Sequence, residues 1–322
     1  MTQPLPEITP EALFPDLEFQ TRTVAGVVAR EVGQGPTLML LHGGTGSWTH
    51  WVRNIRALSQ HFRLVLPDLP GMGESLDVPD DSDLDGYGEF LLAAVVAGLV
   101  PAGAPFLVAG FSYGGVMTAW LAARLPERVA GICLLAPGGF PPGSWSRPPL
   151  RPVPAGASEA ETNAVHRRNL ELMMIGDPTR IDDLTVAMQR RNHALTRFRS
   201  RFLGYRDTLG PSLRQTCCPV LAIQPERDPL PQPDAASRVA YLESTAPRIA
   251  CRIIPGASHW VAFEAPDEVN RLMIEFLGEV AHLIDERESI LETAEREFLL
   301  DRLTLRQLPA GERANFSLNL SL

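Results

Sequence analysis

The sequence predicts an α/β fold built on a mostly parallel sheet, and three observations carry that expectation. Short apolar runs near 37–42, 63–67, 106–111, 131–135, 219–223 and 250–254 are each followed by a turn and then by a helical pattern, the alternation from which parallel sheets are built. The run at 106–109 leads directly into Gly110-Phe111-Ser112-Tyr113-Gly114-Gly115 and then into a helix-like stretch at 116–124. The alternation stops once, between the runs at 131–135 and 219–223, where residues 140–210 read as a Pro/Gly/Trp-rich linker followed by helical patterns broken at Gly176-Asp177-Pro178 and Gly210-Pro211.

In chain order, residues 18–34 read as an antiparallel hairpin preceding the first parallel strand. Leu38-Met39-Leu40-Leu41 then runs into His42-Gly43-Gly44-Thr45-Gly46-Ser47. A glycine-rich loop after a strand can cradle phosphate, but no Gly-Lys-Ser/Thr follows and the spacing is not G-x-G-x-x-G. The alternative is an oxyanion loop, with one backbone N–H from Gly44 and a second from Tyr113 after the serine; His42 is then expected to anchor the loop by hydrogen bonds. At Ser112 the G-x-S-x-G pattern predicts a tight turn that lifts the hydroxyl above the sheet, with small neighbours because the backbone leaves no room for Cβ atoms.

A serine hydroxyl needs an imidazole to take its proton and a carboxylate to fix the imidazole tautomer. Both are available at strand ends after Ser112. The strand at 219–223 ends in Gln224-Pro225-Glu226-Arg227-Asp228-Pro229, and that at 250–254 in Pro255-Gly256-Ala257-Ser258-His259-Trp260. The catalytic set is expected to be Ser112, Asp228 and His259. Glu226 and Asp234 compete for the acid role; Asp228 is preferred because Pro229 and Pro231 stiffen the loop that presents it.

With these motifs in order, together with Pro67-Asp68-Leu69-Pro70-Gly71-Met72-Gly73-Glu74-Ser75, similar to a D-x-P-G-x-G-x-S turn, the chain resembles the α/β-hydrolase-fold serine hydrolases over roughly residues 18–280. The resemblance implies a hydrolase core over 1–139 and 211–280, a helical cap over 140–210 inserted above the site, and a tail over 281–322. It implies no cofactor and no metal. Gly43, Phe111, Arg190, Arg191 and Trp260 are the residues expected to touch substrate.

Composition narrows the rest. All 29 basic residues are arginine and the net charge is -9, which argues against a nucleic-acid partner. No stretch approaches the ~20 apolar residues that span a bilayer, so a cytoplasmic protein without membrane contact is expected. The four cysteines have neither disulfide-framework nor metal-ligand spacing and read as ordinary thiols. From Arg147 to Arg206 there are eleven arginines against six carboxylates; they are either solvated surface, or one or two of them, with Arg190 and Arg191 leading, bind an anionic substrate group. In the tail, Ile284, Leu291, Phe298 and Leu305 recur every seven residues and predict an amphipathic helix over about 281–307, ended by Pro309 and packed on its own core or across a homodimer contact.

Three functions follow from these residues. The first is hydrolysis of a small, partly apolar, ester-like molecule. The second is carbon–carbon cleavage of a vinylogous diketo acid, as in the meta-cleavage-product hydrolases, which the cap arginine and Trp260 resemble; that subfamily usually places Asn before its serine, where this chain has Phe111. The third is a non-catalytic fold member that binds a small ligand. Epoxide-hydrolase and dehalogenase chemistry require Asp at the position of Ser112.

Overall fold

The computed structural model describes residues 6–146, 148–231, 233–246 and 248–307, with side chains through residue 286. Its eight strands are β1 (Gln20–Val24), β2 (Val27–Val32), β3 (Thr37–Leu41), β4 (Arg63–Pro67), β5 (Phe106–Phe111), β6 (Val129–Leu135), β7 (Val220–Pro225) and β8 (Ile249–Ile254). They form one sheet in the order β1-β2-β4-β3-β5-β6-β7-β8. The β1–β2 hairpin and the β2–β4 pair are antiparallel, and every other pair is parallel.

The apolar runs became strands because both faces of the sheet are covered. β3, β5 and β7 are buried along their whole length, whereas β1 and β8 at the two edges are partly exposed. Strands covered on both faces read as continuous apolar runs, and edge strands do not. The helix Tyr113–Arg124 is buried at Tyr113 and through to Ala122, so the turn that precedes it is clamped by the core.

Chain reversal places the ends of β3, β5, β7 and β8 at one edge of the sheet, and the loops that leave them carry the residues singled out above. Between β6 and β7 lie the helices Glu159–Asn169, Asp183–Ala194, Arg201–Gly204 and Leu209–Leu213. The turn after β4 is a knot of its own. Asp68, fully buried, accepts from Arg30 Nη1 (2.6 Å) and from the backbone N–H of Trp48 and Glu74 (each 3.0 Å), while Ser75 Oγ donates to Asp68 O (2.5 Å).

Two compact units divide the chain at 278/279. The helix Pro266–Gln307 begins well before the expected start near 281, because Pro266 at the first helical position and Asp267 and Glu268 in the first turn already open it. Leu291, Phe298, Leu305 and Pro309, on which the heptad expectation rests, have side chains outside the described residues. Among the described residues no helix is long and apolar enough to cross a membrane.

Candidate active site

Ser112 occupies the turn between β5 and its helix with φ 53° and ψ -114°, a conformation that a non-glycine residue adopts only when its surroundings impose it. The surroundings are visible. A Cβ on Gly114 would strike the backbone carbonyls of Leu41 and His42, and one on Gly110 would strike Gly114 O, so the helix start fits against β3 only because both positions are bare. Ser112 N–H donates to Leu135 O (2.9 Å), and Ser112 O accepts from Gly115 and Gly138 N–H (3.0 and 2.9 Å).

The structure brings Ser112, His259 and Asp228 into line. Ser112 Oγ lies 3.1 Å from His259 Nε2, and His259 Nδ1 lies 2.8 Å from Asp228 Oδ2. Because the carboxylate can only accept, Nδ1 carries the proton and Nε2 is free to accept from the serine hydroxyl. Both partner side chains are 4% exposed. Asp228 Oδ1 also accepts from Leu230 N–H (3.0 Å). Glu226, the competing acid, instead accepts from Gly256 N–H (2.8 Å), which braces the turn leading to His259.

The loop after β3 is braced by two buried histidines. His42 Nδ1–H donates to Gly43 O (2.7 Å) and its Nε2 accepts from Leu69 N–H (2.8 Å), the anchoring role expected of it. His50 Nδ1 accepts from Gly43 N–H (3.1 Å), and its ring lies edge-on to Phe111 and Trp260. Burial lowers the pKa of both rings, that of His50 well below the usual range, with His42 and His259 adding to the effect. Both therefore stay neutral, and the loop is held without extra charge. Gly43 N–H is consumed by His50, but Gly44 N–H has no protein partner among the described residues. Tyr113 N–H, the first of its helix, has no carbonyl one turn back to receive it. A Cβ on Gly44 would lie 3.8 Å from Tyr113 Cβ, so the two residues are neighbours.

These groups border a cavity of about 290 Å³ lined by Gly44, Phe111, Ser112, Tyr113 and His259 from the sheet side and by Trp145, Met174, Phe198 and Ser200 from the insertion, among others. That volume is at the small end of ligand sites. Four of the residues expected to touch substrate are not among those lining this cavity. Arg190 pairs with Glu159 and Asn163, and Arg191 with Glu74; neither lines the cavity, because partners distant in sequence turn both away. Trp260 is buried beneath it, its ring N–H donating to His50 O (2.8 Å). Gly43 is absent from the lining, its N–H turned to His50. The insertion arginines that do line it are Arg199 and Arg201.

Sequence reasoning missed three supports. Glu264, 7% exposed, accepts from Gly176 and Asp177 N–H through Oε1 (2.8 and 3.1 Å) and from Ser258 N–H through Oε2 (2.6 Å), while Met174 O accepts from Trp260 N–H (2.8 Å). Asn192, buried, joins Ser47 and Thr49 through side-chain hydrogen bonds of 2.7 and 3.0 Å. Arg238, 2% exposed, stacks on Phe140 and Trp145 at 3.8 and 4.0 Å; burial pulls its pKa down to about 10 although the charge of Asp228 opposes the shift. None belongs to a motif, and only the hydrogen bonds and burial reveal them. The cysteines are free thiols, and burial pushes Cys218 up to about 12 and Cys251 to about 11.

A sequence model of the alpha/beta hydrolase family matches residues 38–272. The chain is 27% identical over 301 residues to bifunctional epoxide hydrolase 2 of Mus musculus, covering 77% of this chain and 52% of that protein. It is 29% identical over 269 residues to 2-hydroxy-6-oxononadienedioate/2-hydroxy-6-oxononatrienedioate hydrolase of Escherichia coli K12, covering 77% and 89%. The chain thus spans about half the length of the mammalian relative. In fold it is similar to naproxen esterase from Bacillus subtilis (TM-score 0.64, 21% identity, 84% of this chain and 100% of that one) and to a meta-cleavage product hydrolase from Pseudomonas fluorescens IP01 (TM-score 0.63, 21% identity, 81% and 97%). Motif order, sheet topology and the match over most of its length agree: the chain belongs to the alpha/beta hydrolase family.

Proposed function

We propose that the protein is a cofactor-free serine hydrolase of small, partly apolar ester-like substrates. The observation that carries this reading is the line from Ser112 Oγ through the His259 ring to Asp228, at 3.1 and 2.8 Å, opening on a cavity that the serine itself borders. His259 Nε2 takes the Ser112 proton as Oγ attacks the carbonyl carbon, and Asp228 holds the imidazolium that results. The negative charge that develops on the carbonyl oxygen is met by the N–H groups of Gly44 and Tyr113. The imidazolium then protonates the leaving alcohol, and water releases the acyl group by the same steps in reverse. The insertion acts as a cap that closes the cavity from above.

A second reading, carbon–carbon cleavage of a vinylogous diketo acid, is favoured by the likeness to the E. coli dienedioate hydrolase. It has lost the support expected from Arg190 and Arg191, which are engaged elsewhere. The two are separated by kcat/KM for a panel of activated esters and for one coloured dienoic diketo acid. Ser112→Ala is expected to lower ester turnover by a factor on the order of 10⁴ or more without unfolding the chain. Ester turnover that survives Ser112→Ala would overturn the reading.

A further inference from the structure

The cavity beside Ser112 carries its fixed charge in one place. Among the described residues its lining contains no aspartate or glutamate and two arginines, Arg199 and Arg201, in a protein of net charge -9. These two differ from six other arginines of the insertion. Arg167, Arg168, Arg180, Arg190, Arg191 and Arg197 each form an ion pair with a carboxylate of this chain. Among the described residues the Arg199 side chain has no such partner, and the contact of Arg201 is with the ring of Phe202 at 5.5 Å. Arg199 and Arg201 thus border the cavity without a carboxylate partner among the described residues, as Arg151 and Arg206 also lack one away from it, while six other arginines of the insertion are paired.

Ser200, between them, is 7% exposed and sets its hydroxyl against Gly44, so the segment that presents the two guanidinium groups is anchored next to the oxyanion loop. The insertion also lines the cavity with the apolar side chains of Trp145, Leu150, Met173, Met174 and Phe198, beside the hydroxyl-bearing Thr196 and Tyr205. An arginine already held by a carboxylate has its planar fork occupied, whereas an unpaired one keeps its donors for a ligand. Two like charges at one rim also repel each other until an anion arrives. The cavity therefore combines a largely apolar lining with two cationic side chains that have no carboxylate partner among the described residues.

We propose that Arg199 and Arg201 receive a carboxylate carried by the substrate, so that the preferred substrates are small esters whose apolar acyl chain bears a carboxylate. This rests on the serine-hydrolase reading and specifies its substrate class.

The test compares kcat/KM for the mono-4-nitrophenyl ester of adipic acid with that for 4-nitrophenyl hexanoate, which has the same carbon count and no charge. The wild type is expected to favour the anionic ester at least tenfold. Arg199→Gln with Arg201→Gln is expected to lower that ratio at least tenfold, Arg199→Glu to lower it further than Arg199→Gln, and high salt to compress it in the wild type. Each single variant is read by the same ratio, so a double variant that fails to fold does not remove the test. A wild-type ratio near one, or a ratio unchanged in the variants, would overturn the proposal while ester turnover and fluorophosphonate labelling of Ser112 keep the serine-hydrolase reading in place. A protein that turns over neither ester and leaves Ser112 unlabelled removes both.

Discussion

Ser112 holds its left-handed backbone conformation because two bare positions, Gly110 and Gly114, let the strand end, the helix start and β3 meet backbone to backbone. Gly114→Ala is expected to destabilise the chain by about 2 kcal/mol or more, since backbone carbonyls cannot rotate aside as a side chain can; urea unfolding measures this, and a loss below about 0.5 kcal/mol would contradict it. Asp228→Asn is expected to cost about 10³-fold or more in kcat by presenting the wrong His259 tautomer, whereas Glu226→Gln should cost far less. A second histidine governs stability. His166, against His193 at 5.2 Å, has its pKa lowered to about 4, by burial first and then by His193 and Arg190. The unfolded chain, with an ordinary imidazole near 6.5, binds more protons than the folded one between those values. Stability is therefore full above pH 6.5 and falls as the pH drops toward 4. The thermal midpoint should fall between pH 6.5 and 5, and His166→Gln should flatten that slope. The placement of Ser112, His259 and the glycines side by side could be read from sequence because each sits at a strand end or turn that a local pattern marks. The direction of Arg190 and Arg191 could not be read from sequence, because it is set by Glu159 and by Glu74, the latter 117 positions away.

At the scale of elements, two buried polar groups tie the insertion to the loops that carry the site. Glu264 gathers N–H groups from Gly176, Asp177 and Ser258, joining the stretch whose Met174 lines the cavity to the turn ending in His259. Removing the carboxylate strands those donors, at about 1–3 kcal/mol for each that stays buried. Glu264→Ala is therefore expected to lower the thermal midpoint and to raise KM as the Met174 wall shifts; a variant unchanged in both would show that the clasp carries nothing. Asn192 does the same for the 3₁₀ helix Trp48–Trp51, whose N-cap Ser47 it holds. Asn192→Leu, similar in size, removes the amide from both hydroxyls and leaves them only their bond to each other (2.9 Å), and should cost about 1–2 kcal/mol, read by urea unfolding. Neither residue is visible in sequence: Glu264 lies 88 positions from Gly176 and Asn192 lies 145 from Ser47, and no periodicity or spacing encodes such a pairing. The strands were legible for the opposite reason, since a strand buried on both faces writes its burial into consecutive residues.

For the whole molecule, the parallel sheet is what makes the chemistry possible. Strands β3, β5, β7 and β8 run in one direction, so the loops leaving their ends bring Gly44, Ser112, Asp228 and His259 to one edge although they are spread over more than two hundred positions of sequence. A rigid, buried scaffold beneath and an insertion above confine them to a small cavity. The central claim is that Ser112 is a nucleophile activated by His259, and it is tested most directly by a fluorophosphonate probe followed by mass spectrometry of the labelled peptide. The account predicts one adduct, on Ser112, absent in Ser112→Ala and strongly slowed in His259→Ala. Labelling that is equal in the wild type and Ser112→Ala, or an adduct on another residue, would contradict it.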